Sequence, residues 1–111
     1  MKKTVTIAGR EMTLECNALL PRLYRHEFGR DMMIDMRKMS RQAQEDPDSV
    51  DAECLENVTW LMLRSGGEDV GASVEEWLGS MDDSLAVYMV MPEVVDLWLQ
   101  NQKRTSKPKK K

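Results

Sequence analysis

YRHEFGRDMMIDMRKM, residues 24–39, sets two aromatics, a glycine, an Arg-Asp pair and four methionines along one run. Leu20, Tyr24, Phe28, Met32 and Met36 recur every fourth residue, and Met39 and Ala43 continue the stripe. That spacing predicts one long amphipathic helix, opened by Asn17 as N-cap with Pro21 in its first turn. Glu27, Asp31, Asp35 and Lys38 lie beside the stripe and read as a solvated charged face. Gly29 falls in the middle, where glycine costs about 1 kcal/mol relative to alanine. It is expected to mark either close approach by another backbone or a kink.

Working outward, Val5 and Ile7 alternate with threonines, as do Met12, Leu14 and Cys16 with Thr13 and Glu15. Two period-two runs around Ala8-Gly9-Arg10 predict a β-hairpin, which is marginal alone and must lie on an apolar surface. QEDPDS (residues 44–49) reads as a loop. A second helix follows over Val50 to Ser65, with Ala52, Leu55, Thr59 and Met62 on one face and Cys54, Val58 and Leu61 on the next, so it is expected to be central. Gly66-Gly67 ends it. SVEEWLGS has the Ser73/Glu76 spacing of a capping box and predicts a short helix burying Trp77 and Leu78. A last helix starts near Ser84 with Leu85, Tyr88, Met89, Pro92, Val95 and Leu99 inward, and Pro92 should kink or split it. The fold class is therefore α+β: an N-terminal hairpin and four to five helices in one domain, residues 1–102. A Lys-rich tail, 103–111, is expected to be disordered.

With 111 residues the chain can bury one core without staples. It has no apolar run long enough to span a membrane, and its start lacks a secretory h-region, so the cytoplasm is expected. Cys16 and Cys54 show no CxxC spacing and read as reduced, half-buried hydrophobes. The net charge of −3 hides an asymmetry. KRTSKPKKK, 103–111, holds six of the sixteen basic residues and none of the nineteen acids. The body is thus strongly acidic, which is not the footprint of a nucleic-acid-binding fold.

Catalytic residue types are scarce. His26, the single histidine, is rotated away from the apolar stripe and has no ligand-type residue at i±3 or i±4, so it reads as solvated. Asp31 and Asp35 could hold a cation only weakly beside Arg30 and Lys38. No phosphate-binding, dinucleotide-binding or nucleophile-elbow motif occurs. No catalytic residue, metal site or cofactor is expected, and the chain reads as a non-enzyme. Methionine, by contrast, supplies 10 of 111 residues. Met32, Met36 and Met39 share the stripe, while Met33 lies about 100° away. They are either all core or in part an exposed groove for a partner helix or an identical subunit.

Tyr24-Arg25 followed by Phe28-Gly29-Arg30-Asp31, the preceding hairpin, SVEEWL (73–78) and MPEVVDLW (91–98) ahead of a lysine-ended tail resemble the tail assembly chaperones of long-tailed phages and prophages of Gram-positive bacteria. The resemblance spans roughly residues 4–111 and weakens through 40–57; the methionine-rich run after Asp31 departs from it, where leucine and isoleucine are expected. It implies a non-catalytic morphogenesis factor that coats the tape measure protein before the tail tube forms, self-associates, and is absent from the finished virion. It also implies a longer form made by ribosomal frameshifting. The codons of Lys109-Lys110-Lys111 could be the slippery site, or those residues a solubilising tail. Under this reading Tyr24, Phe28, Met32, Met33, Met36, Met39 and Trp98 supply core and partner surface. Two alternatives stand beside it: a small phage or host regulator binding nucleic acid through its basic tail, and a structural subunit of the tail.

Overall fold

A computed structural model of the chain describes the backbone of residues 1–106 and the side chains of 1–102. The expected basic tail begins inside the last helix, which runs to Ser106, and its remainder, 107–111, lies outside the described residues. The class is α+β, a hairpin followed by five helices.

Strands β1 (Lys2–Ile7) and β2 (Arg10–Glu15) pair antiparallel with Val5 opposite Met12 and Ile7 opposite Arg10. Ala8 and Gly9 form the two-residue turn, with φ of 51° and 81°. Both positive angles match the twist that a tight hairpin needs. Alternation puts Val5, Ile7, Met12 and Leu14 on one face, all buried. That face lies on α3 (Ala52–Ser65) and α5 (Ala86–Ser106).

The long first helix is two. α1 (Leu20–Phe28) stops at Gly29, whose φ of 67° lies in the left-handed region, and α2 (Met32–Glu45) begins after Asp31. No backbone approaches Gly29: a Cβ there would meet nothing within 4 Å. The glycine is a helix stop of the αL kind, neither a crossing point nor a kink. Asp31 is the N-cap of α2, its Oδ1 accepting from the Met33 and Ile34 amides at 2.9 and 3.2 Å. Asn17 caps a turn instead of the helix, accepting from the Leu19 amide, and α1 starts three residues later.

α3 is the central helix, with Leu55, Val58, Trp60, Leu61, Met62 and Leu63 buried. Its polar residue in the core, Thr59, is satisfied by donating to the Leu55 carbonyl at 2.7 Å. Phe28 sits between Tyr24 (ring centroids 5.0 Å apart) and Trp60 (6.1 Å), fastening α1 to α3 through aromatic contacts. A 3-10 turn, Pro47–Ser49, occupies the expected loop. α4 (Val74–Gly79) is capped by Ser73, whose hydroxyl accepts from the Glu76 amide, and it buries Trp77.

α5 faces the core with a different stripe from the one expected. Ala86, Val87, Val90, Val94, Val95, Leu97 and Trp98 are buried. Leu85, Tyr88 and Met89 are exposed, as is Pro92. Because Pro92 faces solvent, the carbonyl it leaves without a donor can be hydrated, and the helix continues through it unsplit. Among the described residues, no helix is long and apolar enough to cross a membrane.

Both cysteines are free, Cys16 buried and Cys54 half-buried. Burial pushes both thiols up to about 11. The fold accommodates the neutral thiol, so this stability is complete below the unfolded-chain value of about 8.5 and is lost as pH rises past it. The melting temperature should therefore fall between about pH 8.5 and 11. A Cys16→Ala, Cys54→Ala double variant should lose part of that slope. Identical slopes in the two proteins would contradict the assignment.

Candidate interaction surface

The turn between α1 and α2 decides which way each methionine points. Arg30 follows the helix stop and reaches back to Asp35, its Nε donating to Oδ2 at 2.7 Å and its Nη2 to Oδ1 at 2.8 Å. Tyr24, fully buried on α1, donates its hydroxyl to the same Oδ2 at 2.8 Å. Asp35 is thus a buried acceptor, 5% exposed, and not part of a solvated charged face. The guanidinium's two hydrogen bonds hold its carboxyl below the usual carboxylate range, outweighing burial, with the tyrosine assisting. Burial, chiefly, keeps the Tyr24 phenol protonated well above its ordinary range.

With α2 clamped in this rotation, its side chains sort into two adjacent ridges. Met32, Met36 and Met39 enter the core at 1% exposure or less. The next ridge carries Met33 and Arg37, both exposed, and the half-buried Ser40. It meets Trp98, Leu99 and Gln102 of α5 around a shallow groove of about 170 Å³. Gln102 Nε2 lies 3.9 Å from the Met33 sulfur. Met33 is 44% exposed and its neighbour Ile34 60%.

Of the seven residues expected to make core or partner surface, Tyr24, Met32, Met36, Met39 and Trp98 are buried, and Phe28 is packed against the core. Only Met33 is open to a partner, with the edge of Trp98 beside it. Ile34 falls outside the four-residue stripe, so the spacing alone does not single it out. A second exposed apolar group, Leu85, Tyr88 and Met89, lies at the start of α5 near the hairpin turn. The sequence does not mark it as exposed, because the spacing of these residues fits an inward face of that helix equally well.

His26 is exposed. Among the described residues no cluster of three His, Cys, Asp or Glu side chains could hold a metal ion. Comparison with protein-family models, with curated proteins and with solved structures finds no match to this chain.

Proposed function

We propose that the protein is a non-catalytic tail assembly chaperone, which binds the tape measure protein in the bacterial cytoplasm during phage tail morphogenesis and leaves before the virion is complete. The observation that carries this reading is the pairing of the resemblance with an exposed, methionine-bearing ridge. Met33 stands out from α2 beside Trp98 of α5, the last residue of the MPEVVDLW motif that carries the resemblance, and Ile34 is exposed next to it on α2. An unbranched thioether adapts to a long helical client without one repeated sequence. Many copies, each giving a small apolar strip, would cover such a client, and the acidic body would keep coated complexes apart.

Co-expression with the tape measure protein tests this. Met33→Asp with Ile34→Asp should weaken client binding by about tenfold or more, because two apolar anchors are replaced by charges that resist desolvation. The client should then move to the insoluble fraction. Met39→Asp is unsuitable as a surface probe, since that side chain is 1% exposed. A client equally soluble with the double variant, itself folded by circular dichroism, would remove the surface from the proposal.

A further inference from the structure

The two edges of the hairpin are finished differently. In an antiparallel pair the amides and carbonyls of alternate residues point away from the partner strand. Ile7 and Arg10 flank the two-residue turn, and Cys16 donates to the Met1 carbonyl at 2.9 Å at the open end. That register turns the main-chain groups of Lys2, Thr4 and Thr6 outward from β1, and those of Glu11, Thr13 and Glu15 outward from β2. β2 is covered at its middle, where Glu68 accepts from the Thr13 amide at 2.8 Å and Gly66 abuts the Thr13 carbonyl. On β1 none of the outward groups of Lys2, Thr4 and Thr6 has a partner among the described residues, and all three side chains are exposed. β1 is an open edge.

Beside that edge runs an uncovered strip of α5. Leu85, Met89, Pro92 and Asp96, spaced by three and four residues, share one side of the helix. Met89 is 73% exposed, Leu85 58%, and Pro92 is exposed as well. α5 lies under β1 and α3 under β2. Asp96 accepts from Lys3 Nζ at 3.1 Å, while Met89 and Thr6 line one groove of about 620 Å³ at the hairpin turn. The strip therefore follows β1 from its open end to the turn, on the side away from β2. Asp69, Asp82 and Asp83 outnumber Arg10 in that groove, and none of the three acids forms an ion pair among the described residues. Edge and strip together make a step, with unpaired main-chain groups above an apolar shelf that ends in free carboxylates. A second copy of the hairpin does not fit it. Two β1 strands would stand about 4.8 Å apart, while the α5 helix beneath each needs about 8–10 Å from the other. The step admits only a strand with nothing packed under it. We infer that it takes an extended, cationic segment of another protein by strand addition. The segment's main chain pairs with Lys2, Thr4 and Thr6, and its alternate side chains rest on Leu85, Met89 and Pro92. A lysine or arginine at the turn end meets Asp82 and Asp83. The step lies apart from the Met33 groove, and the inference does not rest on the tail-assembly reading.

The probe is a blocked heptapeptide, acetyl-Lys-Thr-Val-Thr-Val-Thr-Lys-amide, which offers a cation at the turn end in either strand direction. Titrated into the isotopically labelled full chain, it should shift the amide resonances of Thr4 and Thr6 and slow their hydrogen exchange. Those of Glu11 and Thr13 should stay in place. Thr4→Pro removes an outward amide that the hairpin does not use, and it should weaken binding by about tenfold. Met89→Ser changes an exposed side chain and should weaken it by about threefold or more. Asp82→Lys should turn the preference toward the same peptide with glutamates in place of its lysines; Asp83 is left alone because it accepts from the Leu85 amide at the start of α5. Three results would overturn the inference. One is wild type whose Thr4 and Thr6 amides do not move at about 1 mM peptide. Another is peptide binding that neither Thr4→Pro nor Met89→Ser weakens. The third is a wild-type mass in sedimentation that doubles with concentration and returns to monomer in Thr4→Pro, which would put a second copy on the edge. Thermal melts of the three variants that match wild type guard against misfolding.

Discussion

Replacing Gly66 with alanine should cost about 3 kcal/mol or more and lower the melting temperature by roughly 12 °C or more. Gly66 closes α3 with φ −80° and ψ 2°, a conformation open to any residue. Its need for hydrogen in place of a methyl is purely steric. A Cβ at this position would overlap the Thr13 carbonyl oxygen and stand 2.9 Å from its carbon. Both are backbone atoms of β2, so no rotamer change can relieve the clash. The same contact is reinforced two residues on, where Glu68 Oε2 accepts from the Thr13 amide at 2.8 Å. That bond satisfies an outward-facing donor of β2 and covers the strand edge. Gly66 thus abuts the Thr13 carbonyl while Glu68 just beyond α3 holds its amide, and an alanine would lift the hairpin from the helix beneath it. Gly79, at the end of α4, provides the control. A Cβ there meets nothing within 4 Å, so Gly79→Ala should be neutral or stabilise by up to about 1 kcal/mol. Chemical denaturation of both variants measures the contrast. Equal stabilities would mean that the close approach of α3 to β2 is absent.

Gly66 and Gly29 also show what a sequence can and cannot convey. Gly29 drew the expectation of close approach because it interrupts a helical stripe, yet a stripe at four-residue spacing continues unchanged across a helix stop and a new N-cap. Leu20, Tyr24, Phe28, Met32, Met36 and Met39 do share one buried side, but two helices carry them. The Arg30-Asp31 step after the glycine is the local signal of the break, since Asp31 is a strong N-cap. Gly66 looked like a helix terminator and is one, but its tight contact is with a strand 53 positions earlier. No local pattern reports a partner at that separation. The hairpin and the capped α4 are legible because alternation and capping are local. The inward face of α5 is not, because valines and methionines surround the helix and only tertiary packing chooses among them. For the candidate surface the same limit applies. Spacing isolates Met33 from the stripe, but Ile34 and Met89 emerge as exposed only once neighbouring helices are in place.

The second large effect belongs to Asp35, and it gives the YRHEFGRDMMID run its physical sense. Asp35→Ala should destabilise the fold by about 2–3 kcal/mol. It removes the acceptor of three hydrogen bonds and strands the fully buried Tyr24 hydroxyl. Cys54 Sγ, 3.8 Å from that hydroxyl, is only a weak substitute. Tyr24→Phe should cost less, about 1 kcal/mol, since Arg30 still holds the carboxylate. In a double-mutant cycle the two losses should fall short of additive, because either change removes the same bond. The pH dependence has a definite sign. The folded-state carboxyl is held below the usual range, so its contribution is complete above the unfolded value of about 3.9 and is lost as pH falls through the folded value. Below about pH 4 the wild-type melting temperature should therefore drop more steeply than that of Asp35→Asn, which has no charge there to lose. Because the clasp sets the rotation of α2, loosening it should also turn Met33 away from the α5 groove and displace the exposed Ile34 beside it. Asp35→Ala at a temperature where it remains folded should then bind client less well than wild type, although residue 35 itself is out of a partner's reach. If client binding survives Asp35→Ala intact while Met33→Asp with Ile34→Asp abolishes it, the clasp serves stability alone.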